Sequence, residues 1–257
     1  MLKIGDLVTR NSYNNDIIFK VIGIEDNNYL LKGINVRLCA DSYYEDLAKY
    51  TGDTKSDDDK YFLDFEKYVS LDRSEYFYLP GKILHIDADK EYLDRCMKFY
   101  NKNKVKAYGV FEKEENVAGN IEKYLETYNP DIIVITGHDA YYRKRKGDNK
   151  YKNTDNFIKA VKEARRIEKS HEKLIIIAGA CQSDYESLIK AGANFASSPK
   201  RINIHALDPA IIAASLAFTD KSKDIDLIKI LNNTKYGSEG LGGIITKGTM
   251  YVGFPRE

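Results

Sequence analysis

The sequence predicts an α/β protein in which a parallel sheet is covered by helices on both faces, preceded by a small SH3-like β-barrel. Two apolar runs point to the sheet: Asp131-Ile-Ile-Val-Ile-Thr-Gly-His138 and Lys173-Leu-Ile-Ile-Ile-Ala-Gly-Ala-Cys181. Uninterrupted Ile/Val/Leu/Ala stretches closed by Gly read as strands buried on both faces. From Gly81 onward, strand-like and helix-like segments alternate, as repeated right-handed βα units do. Before that, roughly Lys3 to Leu47 holds short strand-like runs punctuated by turn residues, the pattern of a small barrel. The chain divides accordingly into residues 1–50 as barrel, 51–80 as a polar linker or crossover, and 81–257 as the α/β domain.

Within the barrel, Asp6-Leu-Val-Thr-Arg, Ile17 to Glu25 and Tyr29-Leu-Leu-Lys-Gly are strands. Asp26-Asn27-Asn28 is a hairpin-type turn, because Asn and Asp tolerate positive φ. Tyr50 to about Ser74 turns polar around Asp57-Asp-Asp-Lys. Then follow the strand Lys82-Ile-Leu-His-Ile, a helix from Lys90 to Asn103, the strand Lys104 to Val110 and a helix from Glu114 to Tyr128. The His138 strand comes next, followed by a basic loop and a helix from about Thr154 to Lys169. The Cys181 strand leads into a helix through Ala191, and Asn194-Phe-Ala-Ser is a short fifth strand. A helix near Pro209 to Phe218 has Asp208 as its expected N-cap and Pro209 at its first position. Gly237 to Gly253 reads as hairpin-like.

Composition narrows the function classes. Apolar residues make up 43%, enough for a core, and 40 Lys+Arg against 39 Asp+Glu leave a formal charge of +1. That balance gives no reason to expect a nucleic-acid partner or an anionic membrane. Three widely spaced cysteines, Cys39, Cys96 and Cys181, argue against a disulfide framework or a structural zinc site. Neither a signal-peptide core at Met1-Leu-Lys-Ile-Gly-Asp-Leu nor a membrane-length apolar run is evident, so a cytosolic setting without membrane insertion is expected.

In open α/β sheets, ligands bind beyond the carboxyl ends of the strands. His138 and Cys181 end two strands of one sheet, and a Cys and His brought together there make a nucleophile with its proton acceptor. A Cys is usually a small buried hydrophobe, and Cys39 and Cys96 fit that description. Cys181 differs, because it stands between a buried strand and a helix start, where free N–H groups favour a thiolate and cradle an oxyanion. The backbone N–H groups of Asp139 and Cys181 are the candidate oxyanion donors.

The strand–His and strand–Ala-Cys arrangement resembles the caspase-type cysteine peptidases, which implies a caspase-like sheet. In caspases the His precedes the Cys by about 50 residues and an Ala-Cys pair sits in the nucleophile signature. Here the separation is 43 residues and Ala180-Cys181 matches. That clan usually has Gly after the His, where this chain has Asp139.

The sequence resembles the YabG family of sporulation-specific peptidases more closely, over most of its length. The likeness lies in Lys3-Ile-Gly-Asp, Phe19-Lys-Val, Ile135-Thr-Gly-His-Asp-Ala-Tyr141, Ala178-Gly-Ala-Cys-Gln-Ser183 and Ser197 to Pro209. The resemblance implies a mother-cell cysteine endopeptidase that acts on spore coat and cortex-related proteins after Arg, with His138 and Cys181 as its dyad and no metal or organic cofactor. An Arg preference requires a buried carboxylate to accept the guanidinium. Some clan members carry that acid two residues before the Cys, where Gly179 stands, so Asp87 and Asp89 are the first candidates and Asp184 and Asp208 the alternatives.

Two other readings stay open. The pairs His85/Asp87, His138/Asp139 and His205/Asp208 would suit a metal hydrolase, which EDTA would inactivate and iodoacetamide would spare. A non-enzymatic spore-assembly scaffold would be indifferent to Cys181→Ala. Finally, the basic loop Tyr141 to Asn153 carries Arg143 and Arg145 directly after the His strand, and is expected to be open to self-cleavage.

Overall fold

A computed structural model describes residues 2–54, 58–68, 71, 74–141 and 151–255. The first region folds into five strands, β1 (Leu7–Arg10), β2 (Phe19–Glu25), β3 (Asn28–Gly33), β4 (Cys39–Tyr43) and β5 (Leu47–Lys49). They pair antiparallel in the order β4-β3-β2-β1-β5. Val8, Phe19, Val21, Tyr29 and Leu31 alternate inward and form its core. Asp26, at φ 55°, makes the expected tight turn between β2 and β3.

The segment read as a polar linker contains helix α1 (Asp58–Tyr68). Its polar composition hides two anchors, because Phe62 and Phe65 are buried and pack on Phe99 with ring centroids 5.6 and 5.2 Å apart. A short strand, β6 (Phe77–Leu79), leads into the main sheet.

Alternation then proceeds as the apolar pattern dictates: β7 (Ile83–Asp87), α2 (Lys90–Lys102), β8 (Ala107–Phe111), α3 (Glu114–Tyr128), β9 (Ile132–Thr136), α4 (Thr154–Ile167), β10 (Ile175–Ala178), α5 (Tyr185–Ala191) and β11 (Phe195–Ser197). After them come α6 (Asp208–Ala217), α7 (Leu227–Leu231), β12 (Leu241–Gly243) and β13 (Tyr251–Gly253). The sheet order is β12-β11-β10-β9-β7-β8, parallel except for β12, which pairs antiparallel with β11. The expected C-terminal hairpin does not form. Instead β12 extends the main sheet and β13 pairs with β6, since both found open strand edges elsewhere.

Side chains of the central strands point alternately to two cores. Ile83, Ile132, Val134, Ile175 and Ile177 pack against α1, α2 and α6. Leu84, Ile86, Ile133, Ile135 and Ile176 pack against α3, α4 and α5. Helix α6 is buried all round, as an apolar helix between layers must be. Asp208 opens this helix rather than capping it, and its carboxylate accepts from the backbone N–H groups of His205 (2.7 Å) and Lys235 (3.0 Å). Among the described residues no helix is long and apolar enough to cross a membrane.

If α1 is an integral layer rather than a tether, Phe62→Ala should destabilise the chain by about 3–5 kcal/mol, the usual cost of emptying a buried aromatic site. Urea denaturation measures this, and an unchanged midpoint would return the segment to linker status.

Candidate active site

Strand order reverses between β7 and β9, because β8 lies on one side of β7 and β9 on the other. The crevice beyond the carboxyl ends at such a point is where open α/β sheets bind ligands. Three adjacent strands deliver the candidate residues there: β7 ends in Asp87 and leads to Asp89, β9 leads to His138, and β10 leads to Cys181.

Cys181 follows Gly179, whose φ of +103° turns the chain sharply out of β10. Gln182 also has positive φ, at 60°, so the thiol stands in a constrained bend of the kind found at functional sites. The bend is fixed by Thr136, whose hydroxyl donates to the Gly179 carbonyl (2.9 Å), and by Ser183, whose hydroxyl accepts from the Ala180 N–H (3.0 Å). Cys181 Sγ is wholly buried and accepts from the Ile204 N–H at 3.2 Å. Burial pushes this thiol up to about 12, against the smaller opposing pull of the Ile204 N–H and Arg37.

His138 is positioned by its neighbours. Its N–H donates to Glu114 Oε1 (3.0 Å), and its Nε2 lies 3.2 Å from Asp89 Oδ2. Asp89 also caps α2, accepting from the Glu91 and Tyr92 N–H groups, and meets Lys32 of β3 at 2.5 Å. Burial works against the Asp89 charge, but His138 and Lys32 outweigh it and hold the carboxyl well below its ordinary range. While the imidazole meets Asp89, the Asp139 carboxylate bonds to the surrounding loops. It is buried and accepts from the N–H groups of Ala140 and Asn153 and the hydroxyls of Thr154 and Ser183, which ties the His138 and Cys181 loops together.

The space between the two loops is filled by the β3–β4 connection. Val36 pairs antiparallel with His205 and Leu38 pairs parallel with Asp139. The Arg37 N–H donates to the Ile204 carbonyl (3.3 Å), and the Ala206 N–H donates to the Asn35 carbonyl (3.1 Å). An extended segment held by main-chain bonds on a neighbouring edge is how peptides are commonly bound.

The Arg37 side chain goes down into the crevice. Its Nη1 donates to Asp87 Oδ2 at 2.7 Å, Nε and Nη2 donate to the Ala206 carbonyl at 3.1 and 2.9 Å, and both ion-pair side chains are 0% exposed. Burial alone opposes the charge on each, yet their mutual attraction wins: Arg37 is raised above its ordinary value and Asp87 lowered below. His85 stands 3.5 Å behind Asp87, bonded through Nδ1 to the Tyr100 hydroxyl (2.9 Å), and burial lowers its pKa. Cys96 lines the same pocket, and burial pushes it up to about 12.

Of the sequence candidates, Asp87 and Asp89 thus reach the rim with His138 and Cys181. Asp184 caps α5, accepting from the Ser187 N–H and hydroxyl, and Asp208 serves the turn described above. Arg143 and Arg145 lie outside the described residues. His85, His138 and His205 face three different carboxylates, Asp87, Asp89 and Asp58. Among the described residues no three His, Cys, Asp or Glu side chains converge as metal ligands would. Sequence reasoning missed Arg37, Tyr92 and the 204–206 edge. An arginine flanked by Val36 and Leu38 was the one local sign of burial.

A family model described as YabG peptidase U57 matches residues 3–71 and 53–255. This chain belongs to the YabG peptidase family. The sporulation-specific protease YabG of Bacillus subtilis (strain 168) is 41% identical to it over a 285-residue alignment, covering 99% of this chain and 98% of that protein. Membership makes the chain a peptide hydrolase.

With Val36–Leu38 in place, Cys181 should resist alkylation. A thiol raised to about 12 is almost entirely protonated at pH 8, and labelling should rise only as pH approaches that value. Iodoacetamide followed by mass spectrometry of the intact chain should label Cys181 at least about 100-fold more slowly than in urea. Fast labelling of the native, full-length chain would contradict the buried site.

Proposed function

We propose that this chain is a cysteine endopeptidase that cleaves after arginine, with Cys181 as nucleophile and His138 as its proton-transfer partner. The observation that carries the reading is Arg37, an arginine already lodged in the crevice with its guanidinium on Asp87 and its backbone beside Cys181. Whatever binds there must offer an extended backbone to the 204–206 edge and a cation to a buried carboxylate. Asp87 is therefore the specificity acid and the Ala206 carbonyl its second acceptor, and two acceptors on separate guanidinium nitrogens suit arginine better than lysine.

The chemistry follows from these positions. The Cys181 thiolate attacks the carbonyl carbon of the arginine, and the N–H groups of Cys181 and Asp139 hold the oxyanion. His138 carries the proton, either in forming the thiolate or in protonating the leaving amine, and water then hydrolyses the thioester. Asp89 acts as a positioning residue, since a carboxylate 3.2 Å from Nε2 orients the ring.

The caspase-type reading is supported by the strand order, with five parallel strands and an antiparallel sixth at the β11 edge. The N-terminal sheet then serves as the SH3-like docking unit. The sporulation setting is supported by the likeness to the Bacillus subtilis sporulation-specific protease. On that basis the substrates are spore coat and cortex-related proteins, met in the mother-cell cytoplasm.

Cys181→Ala and His138→Ala should each lower kcat/KM on a short arginyl peptide by at least about 10³-fold while leaving the urea midpoint near that of wild type. Full activity in either variant would end this reading.

A further inference from the structure

Arg37 belongs to the protein itself, and this has a chemical consequence that rests on the Cys181–His138 reading above. Gly33 to Leu38 is a tight loop between β3 and β4, closed by the Gly33 N–H donating to the Leu38 carbonyl at 2.8 Å. Gly33 is required there, because a Cβ would come within 2.5 Å of the Val36 carbonyl oxygen. The loop is gripped from outside by α2. Tyr92 directs its hydroxyl at the Val36 carbonyl (2.8 Å), while Arg95 donates to the Ile34 carbonyl (2.9 Å) and is locked by Asp58 of α1 (2.7 Å). So the loop tip is pressed into the crevice with its arginine in the specificity pocket and its next residue, Leu38, beside Asp139.

A peptide held that way presents one bond to the nucleophile. The geometry points to the Arg37–Leu38 peptide bond as this chain's own processing site, cut in cis by Cys181. In that step Cys181 Sγ bonds to the Arg37 carbonyl carbon as the C–N bond to Leu38 breaks. The Leu38 nitrogen leaves as an amine, taking its proton from His138. Water then adds to the thioester, releasing the Arg37 carboxylate and returning the thiol.

Until that bond is cut, the loop excludes other substrates, and Lys32 on the same unit holds Asp89, the partner of His138. The β3–β4 pairing spans the nick, from Asn28↔Tyr43 to Lys32↔Cys39, so the 1–37 piece stays bound by backbone hydrogen bonds. The cut therefore turns a tethered occupant into one able to leave.

The test uses the full chain as wild type, Cys181→Ala, Arg37→Ala and Arg37→Lys. Denaturing mass spectrometry with N-terminal sequencing follows the chain, and an arginyl peptide amide reports turnover. Wild type should yield pieces 1–37 and 38–257, with a first-order rate unchanged over a 100-fold dilution, and Cys181→Ala should stay whole. Arg37→Ala should stay whole at this bond and cleave the peptide without the lag that wild type shows while its own bond is being cut. Should Arg37→Ala not fold, Arg37→Lys, which keeps a cation on Asp87, should cut the bond at least 10-fold more slowly. Wild type that turns over the peptide while Arg37–Leu38 stays intact would overturn the processing site alone. So would cleavage only after Arg143 or Arg145, or a rate that scales with protein concentration. Failure to cut either the peptide or the chain would overturn the underlying Cys181 reading and this inference together.

Discussion

A guanidinium that gives up all contact with water must be met by a carboxylate, and Arg37 meets Asp87 at the point where the sheet reverses its order. Removing one member of such a pair strands the other in a medium that cannot solvate it, at a cost of about 3–5 kcal/mol. The pair also helps to join two parts of the molecule that backbone bonds at Asn35, Arg37, Ile204 and Ala206 and the Lys32–Asp89 ion pair hold together as well. Arg37 belongs to the β3–β4 loop of the N-terminal sheet, and Asp87 ends the first strand of the parallel sheet. Around it the rest follows: Val36 and Leu38 pair with the 205 and 139 edges, Cys181 is sealed beneath Leu38 and Ile204, and Lys32 reaches Asp89.

The same contacts set the electrostatics of the site. Asp87 and Asp89 are both held below the ordinary carboxylate range against the cost of burial, Asp87 by Arg37 and Asp89 first by His138 and then by Lys32. Both therefore contribute stability that is present above the unfolded carboxylate value and lost as acid protonates them. Cys181 is pushed the other way, toward the protonated thiol, by the burial that the loop imposes. The occupied crevice thus keeps the Asp87 carboxylate charged and the Cys181 thiol covered.

Much of this was legible in the sequence, for identifiable reasons. Ile132–Thr136 and Ile175–Ala178 are too apolar to be anything but central strands, and the residues just beyond their carboxyl ends follow from the geometry of parallel sheets. Asp87 and Asp89 were found by the same logic. Helix α1 was not, because its anchors Phe62 and Phe65 stand among acidic residues. Asp184 and Asp208 were indistinguishable from pocket acids because carboxylates beside helix starts serve turns and caps more often than ligands. Arg37 was invisible for a different reason: what matters about it is a carboxylate 50 residues away, and no local pattern encodes that meeting.

The central claim is that Asp87 reads the charge of an arginine. It is tested most directly by comparing kcat/KM for a peptide ending in arginine with one ending in citrulline, its neutral isostere, in wild type and Asp87→Asn. Wild type should favour arginine by at least about 10²-fold, the scale of a lost buried ion pair. In Asp87→Asn that preference should fall below about 10-fold. An undiminished preference for arginine in Asp87→Asn would contradict the account.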